Sequence, residues 1–182
     1  MKILCFGDSN TFGYDPRSPI GSRYEADHRW VDILQAKTGW NMINAGQNGR
    51  EIPRRNFELE TVRDLIHRHS PDRILVMLGT NDLLQGAAPE TVAARMEAFL
   101  QQLPESVILI GPPPLQKGAW VEDDALAASS RLLRKAYQQL AEHMQVPFVD
   151  SGEWGIELAF DGVHFSESGH HVFADHLISI LK

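Results

Sequence analysis

The sequence has a single cysteine, no excess of basic residues and no long apolar run. Cys5 has no partner for an internal disulfide, so a disulfide-stapled scaffold is excluded, and we expect this thiol to pack inside a strand. The chain has 17 Lys and Arg against 24 Asp and Glu, a formal net charge of −7. This charge argues against a surface that binds nucleic acids or anionic membranes. No stretch approaches the roughly 18 apolar residues that span a bilayer. We expect no nucleic-acid partner and no stable membrane association.

Targeting features are missing as well. Met1 leads directly into a short apolar run, without a basic region, a long apolar region or a small-residue cleavage site. The 182 residues suit a single domain, 1–182, and 43% of them are hydrophobic, an ordinary globular value. We therefore expect a cytoplasmic protein, and the sequence leaves homo-oligomerisation open.

The sequence does contain a regular alternation of strand and helix signals. Between the apolar runs lie amphipathic stretches with apolar residues three or four apart, the longest from Leu126 to Met144. Such alternation predicts a parallel sheet covered by helices on both faces, an α/β/α sandwich. The predicted strands are 2–6, 40–44, 73–78, 106–110 and 146–149.

Several residues mark the predicted helix ends and faces. Asn56 is expected to cap a helix that ends at Ser70-Pro71, and Pro89 suits the first turn of the next one. Leu132 on the longest helix and Ile180 on the last helix follow the apolar spacing and are expected to face inward. Other expected boundaries are Gly39 at a helix end and Ser166 as a cap.

Polar clusters follow four of the five strands. They are Gly7 to Asn10, Asn44 to Gly49, Gly79 to Asp82 and Asp161 to His164. Because the carboxyl ends of parallel strands meet at one edge of the sheet, where ligands bind, we expect these clusters to lie together. Each cluster alone also has a purely structural explanation, since Gly, Asp, Ser and Asn favour turns and helix caps.

Three of these residues have the chemistry of a nucleophile and its base. A serine hydroxyl such as that of Ser9 is a weak nucleophile until a base takes its proton, and histidine suits that role. His164 is the candidate base, and Asp161 is placed to orient its ring and stabilise its charged form. Acyl transfer also needs donors for an oxyanion, and Asn81, Gly49 and the N–H of Ser9 supply them.

Other residues compete for the same roles. The competing bases are His28, His170 and His171, and the competing orienting carboxylates are Asp150 and Asp175. The remaining histidines fall on predicted helices, where a solvated or packing role is expected. The loops Phe12 to Arg29 and Leu115 to Asp124 are long enough to shape a binding site. They carry Tyr14 and Trp120, which we expect to line it.

The four clusters resemble the sequence blocks of the SGNH hydrolases, also called GDSL-type esterases and lipases. Phe6 to Ser9 resembles the nucleophile block, Asn44 to Gly49 the glycine block, Gly79 to Asp82 the asparagine block, and Asp161 to His164 the Asp-x-x-His block. The resemblance implies a five-stranded flavodoxin-like sandwich. Counting along the glycine block favours Gly49 over Gly46 as the matching glycine.

The resemblance also implies site roles and a substrate. It implies a triad of Ser9, Asp161 and His164, and an oxyanion hole made by the N–H groups of Ser9 and Gly49 with the Asn81 amide. Small acyl esters with an aryl, alkyl or sugar alcohol part are the implied substrates, with no cofactor and no metal.

Three further segments resemble most closely the arylesterase and acyltransferase branch of that family. They are Arg29-Trp30, the triple proline from Pro112 to Pro114, and Val146-Pro147-Phe148. Asn10 departs from the general pattern, because many relatives carry leucine there. It is expected either to line the acyl side of the pocket or to stabilise a turn.

Two other functions fit parts of the sequence. The loop from Gly7 to Gly13 suits a flavodoxin-like module that holds a phosphate or flavin, although it leaves Asp161 and His164 without a role. A metal-dependent phosphoesterase would use Asp8, Asn81, Asp82 and His164 as ligands, but no short-spaced ligand pair supports it. Several arginines lie in the first third of the chain: Arg17, Arg23, Arg29, Arg50, Arg54 and Arg55. They could bind an anionic or sugar-like alcohol part of the substrate. We favour the alternative that they form ion pairs with acidic neighbours, namely Glu25, Asp27, Glu51 and Glu58.

Overall fold

The computed structural model describes residues 1–182, which fold around one five-stranded sheet. The strands are β1 Lys2–Gly7, β2 Asn41–Gly46, β3 Arg73–Met77, β4 Val107–Gly111 and β5 Phe148–Asp150. All neighbouring strands are parallel, in the order β2-β1-β3-β4-β5. The register pairs Gly7 with Gly46 on one side and Met77 on the other, so three strands end at the same level.

Seven helices cover the sheet, and none is long and apolar enough to cross a membrane. They are α1 Ser9–Phe12, α2 Trp30–Thr38, α3 Asn56–His69, α4 Thr80–Leu84, α5 Pro89–Leu100, α6 Asp124–Met144 and α7 Glu167–Leu181. The long loop before α2 also contains a single 3-10 turn, Ala26–His28.

Two apolar cores lie on opposite faces of the sheet, because successive side chains of a strand point to opposite faces. In β1, Ile3 and Cys5 belong to the core under α2 and α7, whereas Leu4 and Phe6 belong to the core under α3, α5 and α6. Each core contains 18 buried residues, so the two faces are covered equally. The predicted three-layer α/β/α sandwich is confirmed.

Most predicted helix boundaries are confirmed too. Gly39 and Ser70 end α2 and α3 in the left-handed conformation, and Pro89 begins α5. Ser166 caps α7, because its side chain accepts the N–H of Gly169 at 3.0 Å. Cys5 is fully buried in β1, as expected of a packing residue, and burial raises the pKa of its thiol far above the ordinary value.

Three helix predictions are corrected by the structure. Asn56 is the first residue of α3, so it does not cap that helix. Arg55 holds the cap position, and the carboxylate of Glu58 accepts the N–H of Arg55. Leu132 is 52% exposed because helical geometry turns it away from the face of α6 that buries Leu133 and Tyr137. Ile180 is 50% exposed in the last turn of α7. Apolar spacing alone therefore does not establish burial.

Gly7 and Gly46, which end β1 and β2, allow α1 to lie directly against the edge of the sheet. A Cβ on Gly7 would overlap the side chain of Thr11, and a Cβ on Gly46 would overlap the main chain of Phe12. The missing side chains therefore set the position of α1, and with it the position of Ser9 at the start of that helix.

We expect Gly46→Ala to destabilise the fold more than Gly39→Ala. A Cβ at Gly46 meets main-chain atoms that cannot rotate away, and overpacking of this kind costs up to about 3 kcal/mol. A Cβ at Gly39 meets nothing within 4 Å, so only its left-handed conformation opposes the substitution, at about 1 kcal/mol. Urea unfolding of both variants measures the difference. Equal losses would contradict the close approach of α1.

Candidate active site

The first strand brings Ser9 to the edge of the sheet. β1 ends at Gly7 and α1 begins at Ser9, so Asp8 alone makes the turn. The Asp8 carboxylate accepts the N–H of Asn10 at 3.0 Å and thereby caps the short helix. This tight turn leaves Ser9 6% exposed, with its hydroxyl in contact with His164.

Ser9, His164 and Asp161 form a continuous chain of hydrogen bonds. His164 Nε2 lies 3.0 Å from Ser9 Oγ, and His164 Nδ1 lies 2.6 Å from Asp161 Oδ2. Because the carboxylate can only accept, Nδ1 is the protonated nitrogen, which leaves Nε2 free to accept the serine proton. All three side chains are buried, so the chain of hydrogen bonds is shielded from water.

Asp161 also holds the turn that carries the histidine. Its Oδ1 accepts the main-chain N–H of Val163 at 2.9 Å and that of His164 at 3.0 Å. Burial by itself raises the pKa of Asp161, but the hydrogen bonds from the His164 ring and from these two N–H groups outweigh it. The pKa of Asp161 is therefore lowered. Asp161 is thus held in its charged form beside the imidazole.

Gly49 and Asn81 line the same cavity as Ser9. Gly49 has φ 71° and its N–H makes no main-chain hydrogen bond. Asn81 lies in α4, where the sequence predicted only a turn, and its Nδ2 donates to the carbonyl of Arg50 at 3.0 Å. That bond fixes the amide and leaves its second hydrogen available. Gly46, the competing glycine, lies within β2 and its N–H is already bound to a side-chain oxygen of that strand.

The cavity beside Ser9 has a volume of about 220 Å³. Tyr14 and Trp120 flank the imidazole of His164, with ring centres 4.6 and 5.2 Å from its own. Trp120 is 54% exposed, so the cavity opens to solvent past an indole ring. The lining residues are Ser9, Tyr14, Asn48, Gly49, Asn81, Trp120 and His164. Asn48 was not predicted from the sequence to line the cavity, although its position in the glycine block beside Gly49 pointed to it.

A second cavity, of about 260 Å³, lies on the other side of the glycine loop. It shares Gly49 with the first cavity and is lined mainly by α3 and the segment before it, including Arg55, Phe57 and Glu58. None of Ser9, Asp161 and His164 lines it. We therefore assign the chemistry to the smaller cavity.

The loop before α6 is attached to the turn that carries His164. The N–H groups of this loop donate to that turn at 3.0 Å, from Gln116 to Gly162, from Ala119 to Phe160 and from Trp120 to Asp161. Gly162 has φ 79°, and a Cβ there would overlap the carbonyl of Gln116. Trp120 thus reaches His164 because its own main chain is bound to the turn.

Asn10 does not line the cavity. Its Nδ2 donates to the carbonyl of Val163 at 3.1 Å, and its Oδ1 accepts the N–H of Phe165 at 2.8 Å. The side chain is engaged inside the protein, and the residue is only 4% exposed. The expectation that Asn10 contacts the acyl group is therefore corrected. It stabilises main chain, although of a distant segment and not of its own turn.

The competing carboxylates have partners elsewhere. Asp150 accepts from Arg134 Nη2 at 3.0 Å, and Asp175 accepts from Lys37 at 2.5 Å. Each lies in an ion pair at the surface, and neither contacts His164. Of the three carboxylates that were considered, only Asp161 is placed to orient that ring.

The competing histidines lie away from Ser9 as well. His170 is fully buried against the ring of Phe165, and burial lowers its pKa to about 3, so it stays neutral. His28 and His171 contact each other, with 3.3 Å between Nδ1 and Nε2. None of the three lines the cavity.

The acidic residues of the metal hypothesis do not form a ligand set. Asp82 is fully buried and accepts from Arg95 at 2.7 Å and from the N–H of Ile52 at 2.9 Å. No group of three or more His, Cys, Asp or Glu side chains has the arrangement that holds a metal ion. Asp8 and His164 therefore do not combine with Asp82 in one site.

Three of the six arginines in the first third of the chain pair with acidic residues, as expected, although not always with the predicted ones. The ion pairs join Arg17 to Asp15 and Glu167, Arg29 to Asp32, and Arg54 to Glu51 and Asp82. Arg23 and Arg55 form no ion pair, and neither does Arg50. It donates to the carbonyls of Gly7 and Ala45 and lies 4.2 Å above the ring of Phe6. It ties the end of β1 to the glycine loop.

Comparison with known proteins defines the class of this chain. Residues 5–172 match the model of the GDSL-like lipase/acylhydrolase family. The chain belongs to that family, and it is a carboxylic ester hydrolase.

Individual relatives agree with this class. The chain is 26% identical to an arylesterase of Vibrio mimicus, over 90% of this chain and 79% of the relative. It is 25% identical to an isoamyl acetate-hydrolyzing esterase of Saccharomyces cerevisiae, over 100% of this chain and 86% of the relative. The solved structure of the native M. smegmatis aryl esterase superposes with a TM-score of 0.85 at 27% identity, covering 99% of this chain and 97% of the other.

Asp8 is a second carboxylate close to His164, and it is 2% exposed. Burial raises the pKa of Asp8 from its ordinary 3.8 to about 6, although the N–H of Asn10 and the charges of His164 and Arg50 oppose that rise. An acid whose pKa is higher in the folded state binds its proton more tightly there. The contribution of Asp8 to folding is therefore greatest below pH 4, and it falls as the pH rises from about 4 to about 6.

We expect Asp8→Asn to remove this pH dependence. Asparagine caps a helix as well as aspartate does but carries no titrating proton. The stability of the variant relative to the parent should therefore rise by up to about 3 kcal/mol between pH 4 and pH 7. Urea unfolding at several pH values measures it. Asp123→Asn, at the exposed cap of α6, serves as the matched control. A difference that does not change with pH would contradict the assignment.

Proposed function

We propose that this chain is a serine esterase that cleaves small acyl esters through an acyl-enzyme on Ser9. The observation that carries the proposal is the buried chain of hydrogen bonds from Ser9 Oγ through the His164 ring to Asp161. It ends in the cavity that Gly49 and Asn81 also line. A nucleophile, a base, an orienting carboxylate and oxyanion donors thus meet at one point.

The proposed reaction begins with proton transfer from Ser9 Oγ to His164 Nε2, while the oxygen attacks the acyl carbon. The resulting tetrahedral intermediate carries its negative charge on the former carbonyl oxygen. Collapse of the intermediate releases the alcohol or phenol, which takes the proton from Nε2. Water then attacks the acyl-enzyme with His164 again as base, and the acid leaves with Ser9 regenerated.

The charges that develop in this reaction have partners. Asp161 stabilises the imidazolium, because it is held in its charged form 2.6 Å from Nδ1. The oxyanion would accept from the N–H groups of Ser9 and Gly49 and from the second hydrogen of the Asn81 amide. The unused N–H of Gly49 and the fixed amide of Asn81 support this role, since neither needs to reorganise.

The substrates proposed are esters with a short acyl group and an aryl, alkyl or sugar alcohol part. A cavity of about 220 Å³ favours small groups, and the rings of Tyr14 and Trp120 offer an apolar wall. The names of the relatives, an arylesterase and an isoamyl acetate-hydrolyzing esterase, support aryl and alkyl acetates as the first to test.

We expect Ser9→Ala to abolish hydrolysis of phenyl acetate and isoamyl acetate, by several orders of magnitude in kcat, while the fold is retained. An organophosphonate should label the parent at Ser9 alone, because Ser9 is the serine whose hydroxyl contacts a histidine ring, at 3.0 Å. Peptide mapping of the labelled protein locates the site, and circular dichroism checks the fold. Ser151→Ala, which removes a buried hydroxyl outside the cavity, is the control and should keep parental activity. An active Ser9→Ala protein would overturn the proposal.

We expect Asn81→Ala to lower kcat by about a hundredfold to a thousandfold, the usual cost of one oxyanion donor. KM should change much less, because the donor strengthens as charge develops in the transition state. Steady-state kinetics with phenyl acetate separates the two parameters. An intact kcat with a raised KM would instead make Asn81 a substrate-binding residue.

A further inference from the structure

Asn10 links the nucleophile loop to the loop of the base. Its Nδ2 donates to the carbonyl of Val163 at 3.1 Å, and its Oδ1 accepts the N–H of Phe165 at 2.8 Å. These are the two residues that flank His164 in the sequence, so one side chain holds the main chain on both sides of the base. We call this pair of hydrogen bonds the Asn10 clamp.

The main chain of Asn10 is itself fixed. Its N–H donates to Asp8 Oδ1 at 3.0 Å, and its carbonyl accepts from Trp30 Nε1 at 3.0 Å. Asn10 directly follows Ser9 in α1, so the position of the clamp and that of Ser9 Oγ are set together. The clamp therefore spans from the nucleophile to the base, which are separated by more than 150 residues of sequence.

We propose that Asn10 is a positioning residue that keeps His164 Nε2 within reach of Ser9 Oγ. This inference rests on the proposed function. The site requires a short side chain that donates to one main-chain group and accepts from another, and an asparagine amide does both. Leucine does neither, and a charged aspartate has no hydrogen for the Val163 carbonyl. Without the clamp, the carbonyl of Val163 and the N–H of Phe165 remain buried and unpaired, and the loop moves to satisfy them.

Even a small displacement of the loop that carries His164 affects the rate. A shift of about 1 Å in a catalytic group can cost about a hundredfold in rate. Because Asn10 does not line the cavity, its loss should lower kcat without changing substrate affinity or the preference among acyl groups. A purely structural residue would lower stability and leave kcat of the folded protein unchanged.

The first test compares Asn10→Leu with the parent and with Ser151→Ala. Ser151 is 1% exposed and donates to the carbonyl of Gly111, so this control also loses a buried hydrogen bond to main chain. We expect Asn10→Leu to lose about tenfold to a hundredfold in kcat, with KM within about twofold for acetyl and butyryl esters. Ser151→Ala should lose thermal stability alone. A parental kcat in folded Asn10→Leu, or a change in acyl preference, would overturn the clamp.

Asn10→Asp provides a second test that does not depend on the leucine variant folding. A protonated aspartic acid has the hydrogen that the Val163 carbonyl requires and keeps an oxygen for the N–H of Phe165. We therefore expect the ratio of its kcat to that of the parent to rise as the pH falls from 8 to 5. The other titratable groups around the clamp occur in both proteins: Asp8, Tyr24, Asp161, His164 and His170. The added carboxylate favours the protonated form of His164, which lowers the ratio on acidification and therefore does not mimic the expected rise.

The outcomes separate the two proposals. A ratio that stays constant or falls on acidification would overturn the clamp while leaving Ser9 as the nucleophile. An active Ser9→Ala protein would overturn the proposed function whatever the Asn10 variants do. Reaction of the parent and both Asn10 variants with the organophosphonate adds a readout of Ser9 reactivity, which we expect to fall in proportion to kcat.

Discussion

The parallel arrangement of all five strands is the constraint on which the rest of the molecule depends. It places the carboxyl ends of the strands at one edge of the sheet, and the segments that follow them supply Ser9, Gly49, Asn81 and the turn of His164. Residues far apart in the sequence therefore approach within hydrogen-bonding distance without a dedicated scaffold. The two cores on opposite faces of the sheet support that edge, and the proposed catalytic groups lie near the strand ends.

Precision at this edge comes from main chain packed against main chain. Gly7 and Gly46 let α1 touch two strand ends, and Gly162 lets the loop before α6 rest on the turn of His164. Arg50 joins the end of β1 to the glycine loop and offers its own carbonyl to Asn81. The glycine and asparagine blocks are thus coupled through one residue, which explains why donors from separate loops share a single geometry.

Local patterns predicted the layers, the order of elements and the polar clusters, because these depend on periodicity and on strand ends. Contacts that depend on distant segments were not predictable. Asn10 was expected to line the pocket or to stabilise its own turn, because its partners follow it by more than 150 residues and only the fold brings them together. Counting along the glycine block favoured Gly49 over Gly46, and the backbone supports that choice, since of the two only Gly49 has a left-handed conformation and an unused N–H. Leu132 and Ile180 met the apolar spacing but are about half exposed, because spacing does not show which part of a helix its neighbours cover.

Two carboxylates lie near the same imidazole, and their surroundings give them opposite properties. Asp161 accepts two main-chain N–H groups and the His164 ring, which outweigh its burial and lower its pKa. Asp8 accepts a single N–H, from Asn10, so burial prevails and raises its pKa to about 6. Two carboxyl groups whose surroundings shift their pKa values in opposite directions can serve different roles. In the proposed mechanism Asp161 keeps the charge that an imidazolium requires, while Asp8 caps the helix that begins at Ser9, at a cost in stability near neutral pH. Asp161, which hydrogen-bonds the His164 ring and is held charged, is therefore the carboxylate that we propose serves the base.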